Sequence, residues 1–480
     1  MSDIISASTR VPGTYVGFDF SRAGRALAAG NWSVVILGQR LASGTVPALT
    51  PTDIYSPDEA AACFGRGSQA HRMVARAINA NNTISLSVCA LDDDAAAVAA
   101  TGHVILSGTA SGSGQVRLRV AGTTVAVAVS TGDKSGDLQT RLVAALAASP
   151  DLPVDASPGD VVTGTDGNGT DTTTQAVILT ARNKGSCGNE TGLTLTITAE
   201  GITGTLAPLT GGQGDPDITP ALAAIFSAGQ AVVVSPYTTD TALRLLADHL
   251  DKVSGPVEQR GAVGVTGWNG TLAGGTTLTG AVNAQRITTG WHNASALPNG
   301  ELAAVYAAAL VSEDDPSEPV DNLALPGLDI PPQQTWPMRT EEEKALHNGL
   351  TPFRVLGTQV QIVRAISTHV KNAAGVEDAT LLDITTIRTL DYIRTAWRTR
   401  MSQRFPNGGK LTAHRLRQVK SETLDVLYQL ESLEMVEKVR QYQDQVTVLP
   451  NKQDDTRADV SIPASVVRGL HILTGTIYLY

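Results

Sequence analysis

The chain is 480 residues long, enough for roughly two to four domains with their own hydrophobic cores. Aromatic residues make up 4% of it against 46 glycines, which favours Ala-, Val- and Thr-rich packing over large aromatic ligand pockets. A formal net charge of −10 argues against generic nucleic-acid binding, because neutralising phosphates needs a basic surface, and leaves room only for a local basic patch.

After Val11-Pro12-Gly13, the segment TYVGFDFSRAG is strand-like, with Val16, Phe18 and Phe20 pointing one way and Tyr15 opposite them. A strand is expected at 34–38. Ser56 to Glu59 has capping-box spacing with Pro57 at the first helical position, so a helix should start there. A second helix over 68–80 leads to an alternating strand at 83–88, closed by Asp92-Asp93-Asp94. From 99 to 214 the composition turns to Gly, Ser, Thr and Val, with runs such as QVRLRVAG, TTVAVAVS, QAVILTAR and LTLTITAE and one helix over 137–148. The loops GTDGNGTDTTT and LTGGQGDPD mark this stretch as an inserted β-rich module. The α/β pattern then returns. AVVVS at 231–235, a helix over 241–252 with Leu243, Leu246 and Leu250 on one face, and GAVGVTG predict a parallel crossover unit. A helix over 301–311 stops before EDDPSEPVD, a capping box is expected from Thr340 to Glu343 with Gly349 as its exit, and strands should follow at 353–356 and 360–366. Two long helices come next. Leu390, Ile393, Trp397, Met401 and Phe405 step by three and four along the first, and the second runs over 412–435. Strands are expected near 446–449 and at the end, where LHILTGTIYLY (470–480) alternates with neither face plainly polar and burial is therefore expected. Edge strands are normally blunted by charge or proline, so two unblunted chain ends predict pairing between neighbouring copies.

Three segments carry a family resemblance: RVPGTYVGFDFSRAG (10–24), FGRGSQAHRMVARAI (64–78), and most of residues 323–480. The last includes NGLTPFRVLGTQVQIVRAISTH, TLDYIRTAWRTRMSQRFPNGGKLT and SIPASVVRGLHILTGTIYLY. In that order they resemble the tail sheath protein of contractile bacteriophages, in its Mu-like branch. The resemblance implies a mixed, multidomain α/β fold. It would consist of an N-terminal arm (1–24), a sheath core (25–98 and 215–379) with a non-catalytic, subtilisin-like middle region, the inserted β-rich domain (99–214), and an α+β C-terminal domain (380–480) ending in a strand arm. It implies stacked hexameric rings around a tail tube, contraction that drives the tube through the host envelope, and tube, baseplate and tail terminator proteins as partners. Localisation would be the virion, after assembly in the host cytoplasm. The expected inter-subunit arm residues are Tyr15, Val16, Phe18, Phe20, Ile472, Ile477, Tyr478 and Leu479.

The alternative is an α/β hydrolase-like enzyme with a β-rich binding module. Subtilisin-type chemistry needs a Ser, a His and an orienting acid, and the sequence has neither a His-Gly-Thr segment nor a GTSMA-like serine. His347 precedes Asn348-Gly349, and His249 lies on a helix among charges. No catalytic, cofactor-binding or metal residue is expected: the histidines are not at ligand spacing, and GGQGDPDI has Pro216 where a calcium repeat needs Asp. Cys63, Cys89 and Cys187 lack CxxC spacing, which fits a reducing compartment. MSDIISASTR has no secretion-signal pattern, and no apolar run reaches about 18 residues, so membrane insertion is not expected. The acidic runs 92–94, 313–315 and 341–343 read as solvated loops and helix N-termini. The basic set Arg394, Arg398, Arg400, Arg404, Lys410, Arg415, Arg417 and Lys420 has two readings of comparable weight. It is a helix face paired to acids such as Glu422 and Asp425, or a surface facing a partner, with Arg415, Arg417 and Lys420 as the tube-facing candidates.

Overall fold

The computed structural model describes residues 32–165 and 171–479; the expected arm residues Tyr15, Val16, Phe18 and Phe20 lie outside them. Residues 393–465 form one compact unit, and residues 32–392 with 466–479 form another.

The larger unit is built on an eight-stranded sheet in the order Gln359–Ile362, Thr351–Leu356, Ile287–Trp291, Val263–Trp268, Val232–Val234, Val34–Gln39, Leu86–Leu91, Thr52–Asp53. The inner strands are parallel, and the two outermost are antiparallel to their neighbours. Parallel strands joined by helices must be covered on both faces. Val34 and Ile36 accordingly enter one apolar cluster with Met73, Val74 and Ala304, whereas Val35 and Leu37 enter another with Leu222, Leu246 and Leu250. The helix Asp240–Ser254 crosses between parallel strands as its spacing predicts. The helix Asn299–Leu310 is buried at every residue, which its alanine content permits by letting neighbouring backbones approach. Tyr306 in it meets the Phe353 ring edge-on at 5.3 Å and hydrogen-bonds Thr288 at 2.8 Å.

Several local expectations shift. The strand predicted at 83–88 forms at Leu86–Leu91, because the Asn81 side chain accepts from the Thr83 N–H at 3.0 Å and holds a turn there. Ser56 caps the helix Pro57–Phe64 through the Glu59 N–H at 3.1 Å, but the Glu59 carboxylate reaches back to the N–H of Tyr55 rather than of Ser56. The box expected at Thr340 closes two residues earlier. Glu341 accepts from the Met338 N–H at 2.8 Å, so Thr340 falls inside the first turn of Arg339–His347. The helix Leu272–Val282 and the strand Ile287–Trp291 carry no clear periodicity. Gly275 is required there because a Cβ would lie 2.8 Å from Leu350 and 2.9 Å from Trp268.

The β-rich stretch forms a four-stranded antiparallel sheet (Ile202–Thr210, Thr101–Gly108, Asp171–Ala181, Val154–Thr165) and a three-stranded one (Thr123–Val129, Gly114–Val120, Leu193–Ile197). Its own apolar core includes Leu106, Leu118, Leu138, Leu142 and Leu179. Its ends meet where Val98 and Gln213 exchange backbone hydrogen bonds. The base is bound to the sheet unit by polar groups. Asn183 accepts from the Gln69 N–H at the start of Gln69–Ala80, Glu190 accepts from the Asn299 N–H, and Arg72 donates to the Asp151 and Ala121 carbonyls. Arg72 and Arg76 also grip Glu301 at 2.6 and 2.8 Å. Burial alone would raise the Glu301 pKa, yet the two guanidiniums hold it below its usual range.

In the smaller unit, Trp397 donates its indole N–H to Thr423 at 3.0 Å, tying the C-terminal part of Ile384–Arg404 to Ala413–Ser432. Val426, Leu427 and Leu430 are buried, as are Ile393 and Ala396.

Removing one partner of a buried ion pair costs about 3–5 kcal/mol, because the other charge stays desolvated. Glu301→Gln is expected to destabilise the larger unit by that amount, read as a lower denaturant midpoint. A change within about 0.5 kcal/mol, as for an ordinary surface substitution, would show that the pair carries no stability.

Candidate functional site

A strand needs a neighbour for its ladder, so the expectation of a terminal strand is corrected within one chain. Residues 467–479 form no strand and join no sheet among the described residues. Their apolar side chains face solvent instead of a core: Ile472 is 76% exposed, Ile477 98%, Tyr478 72% and Leu479 99%. The smaller unit holds a second incomplete element. Thr447–Pro450 and Ala458–Ser461 form a two-stranded antiparallel sheet with the register Val448↔Val460, and neither outer edge carries a strand among the described residues. Its turn is stiff. The Asn451 N–H donates to the Arg457 carbonyl at 2.8 Å, and Asp459 accepts from the Asn451 amide at 2.6 Å and from Arg457 at 2.8 Å. Isolated hairpins are marginal in water, and Leu449, 61% exposed, leaves this one unfinished.

The terminal segment is held at its root. A Cβ on Gly469 would stand 2.5 Å from Pro319, so only glycine lets the chain pass there. The next contact is His471, whose Nδ1 pairs with the Asp321 carboxylate while Nε2 lies 3.6 Å from Asp383. Arg364 binds Asp383 through two hydrogen bonds of 2.8 and 2.9 Å. The hydrogen bonds to Asp321 and Asp383 push the His471 pKa up to about 9. Burial would raise Asp383, but His471 and Arg364 outweigh it and bring that group down to about 2.

The basic set divides. Arg400, almost fully buried, pairs with Asp425 at 2.9 Å and with Glu422 at 3.5 Å, and Arg404 pairs with Glu422 at 2.8 Å. For these two the paired reading holds: they join the long helices. Arg415 stacks over Phe405 at 5.0 Å and donates to Gln418, Arg417 is exposed and donates to the Ala413 carbonyl of its own helix, and none of Arg415, Arg417 and Lys420 forms an ion pair among the described residues.

The acidic runs are less solvated than expected. Asp93 accepts from Gln39, Asn183 and the Lys184 N–H at 2.7–3.0 Å. His249 is buried edge-on to Phe226, and burial lowers its pKa to about 4. His347 lies at the surface, 3.3 Å from Glu377. Sequence reading missed Asp321, Asp383 and Arg364 as holders of the terminal segment; a histidine inside an apolar strand pattern was the available signal. No described helix is long and apolar enough to cross a membrane.

The chain thus combines an α/β core, an inserted β module and, among the described residues, a hairpin open at both edges and an apolar terminal segment that joins no sheet. Residues 211–368 match the phage tail sheath protein central domain and residues 376–480 the phage tail sheath C-terminal domain, together more than half of the sequence. The chain is 28% identical over 489 aligned positions to a Mu-like prophage FluMu tail sheath protein of Haemophilus influenzae, covering 98% of this chain and 97% of that one. A sheath tail protein of Desulfitobacterium hafniense superposes with a TM-score of 0.51 at 13% identity, over 95% of this chain and 97% of that one. The contracted sheath complex of the PVC extracellular contractile injection system aligns with a TM-score of 0.47 at 10% identity, over 98% of each chain. The chain belongs to the phage tail sheath family.

Because the His471 pKa lies above its ordinary 6.5, the root pairing is complete below about 6.5 and lost as pH rises through about 9. An NMR titration of the His471 ring should have its midpoint near 9, falling towards 6.5 in Asp321→Asn. A midpoint at or below 6.5 in the unaltered chain would exclude the pairing.

Proposed function

We propose that this chain is the sheath subunit of a contractile tail, polymerising as stacked hexameric rings around a tail tube and contracting to drive the tube through the host envelope. The observation that carries the reading is the exposed apolar segment 472–479, which among the described residues joins no sheet, together with the hairpin Thr447–Pro450 and Ala458–Ser461, which among them is open at both edges. Segments 14–20 and 470–480 given to neighbours would complete their hairpins, and the same completion would be received in return.

Magnitudes favour exchange by several segments at once. A strand of about five residues adds backbone hydrogen bonds worth roughly 1 kcal/mol net each, while association costs about 4–15 kcal/mol. One segment is marginal, whereas two given and two received make each subunit multivalent and the mesh cohesive. Such links let compact units rotate as rigid bodies without separating, as two packings of the same subunits require. Energy would be stored in the extended polymer, with baseplate and tail terminator proteins at its ends, in a virion tail assembled in the host cytoplasm. Arg415, Arg417 and Lys420 are proposed to face the tube: exposed ion pairs contribute about 0–1 kcal/mol each, so contacts repeated along a tube can template assembly and still release.

Deleting residues 1–20 or 470–480 should leave soluble protein with a folded sheet unit and no long polymer by negative-stain microscopy. Full-length sheaths from either truncation that contract intact would overturn the exchange. Changing Arg415, Arg417 and Lys420 together to Glu should weaken assembly on tubes more than tube-free polymerisation; equal effects would remove these residues from the tube contact.

A further inference from the structure

Residues 311–321, VSEDDPSEPVD, follow the buried helix Asn299–Leu310 and by composition make a solvated acidic loop. The structure fixes them along their whole length. Arg388, 3% exposed, donates to the Leu310 carbonyl at 2.9 Å and the Glu313 carbonyl at 3.2 Å. Thr389 donates to the Pro316 carbonyl at 3.2 Å, Asp315 accepts from the N–H and hydroxyl of Ser317, and Val320 is buried. Just beyond, the Asn322 N–H bonds the Ile362 carbonyl at 2.7 Å, seating the loop's end on the sheet edge.

Two described points, Trp32 near the start and Gly469–His471 near the end, meet this loop. Trp32, next to the first 31 residues in sequence, donates its indole N–H to the Asp314 carbonyl at 3.4 Å, and the Arg388 guanidinium lies 4.2 Å over its ring. At the other end of the loop, Gly469 passes against Pro319 and His471 pairs with Asp321. The charged groups facing His471 are Asp321, Asp383 and Arg364. Six residues of sequence thus lie between the attachment points at Asp314 and Asp321; the bond from Thr389 to Pro316 braces that span, and Arg388 holds the residues just before it.

We infer that the loop 311–321 is a strut that joins the roots of the two terminal segments within one subunit, so that displacement of residue 471 is passed to Trp32 through this loop. A pull received through one segment then leaves through the other without crossing the parallel sheet. That use of the strut rests on the reading that the segments link subunits; the coupling itself is a property of a single chain.

The full-length chain labelled with 5-fluorotryptophan and kept unpolymerised at low concentration tests it by fluorine NMR, with the Trp32 resonance assigned from Trp32→Phe. His471→Asn should shift the Trp32 resonance by more than its linewidth and leave Trp268 and Trp291 in place, and Arg388→Lys should remove that transmitted shift. If His471→Asn disturbs all resonances by unfolding the chain, Asp321→Asn makes the same cut from the loop side and should move Trp32 alone. A Trp32 resonance that stays put in a folded variant lacking the His471–Asp321 pair overturns the strut. Truncation of residues 470–480 judges the exchange between subunits separately, because the fluorine measurement is made without polymer.

Discussion

The carboxylate of Glu301 is the charge around which the larger unit is organised. It sits on a helix enclosed on every side, where an unpaired charge would be intolerable, and its partners Arg72 and Arg76 come from a helix over 200 positions earlier. The same two guanidiniums reach the Ala121 carbonyl of the β-rich module. One buried charge thereby fixes the two helices on a single face of the sheet and supplies the surface on which the module stands. Charge neutralisation and burial cannot be separated there.

That rigidity contrasts with the way the chain ends. The sheet unit covers one of its edges: the Asn322 and Leu325 N–H groups bond the Ile362 and Val360 carbonyls on the outermost strand there. The hairpin of the smaller unit and residues 467–479 are not finished in this way. Among the described residues, unused backbone hydrogen-bonding capacity is thus concentrated in a few short segments.

Much of this was legible in the sequence because periodicity reports burial. The run AVVVS, the Leu243-Leu246-Leu250 face and the steps of three and four from Leu390 to Met401 each correspond to an observed element, and Ser56, Ser68 and Thr412 each cap the helix that follows. The failures have physical causes. Leu272–Val282 is rich in Thr and Gly because it lies against Trp268, and close approach erased the apolar stripe a pattern search needs. Met338 is not a residue that advertises a cap; the carboxylate three positions on created it. In the basic set, composition could not tell Arg400, whose acids lie across a helix pair, from Arg417, which has only its own helix backbone. The terminal segment alternates as a strand does, yet it forms no strand among the described residues. Alternation reports a capacity to pair, not the presence of a mate.

The root at His471 has a further consequence for alignment. A strand with one polar and one apolar face is registered by that difference, since a slip of one residue turns the wrong face inward. Residues 470–479 lack the difference: Ile472 and Tyr478 on one side are matched by Leu473, Ile477 and Leu479 on the other. Under the proposed exchange, polarity would not choose between neighbouring alignments on a receiving hairpin. The choice would fall to geometry, because Gly469 and His471 fix where the segment is anchored and so how many residues remain beyond the anchor. The pin is a ruler: its position, more than the identity of the side chains beyond it, would set which residue meets which.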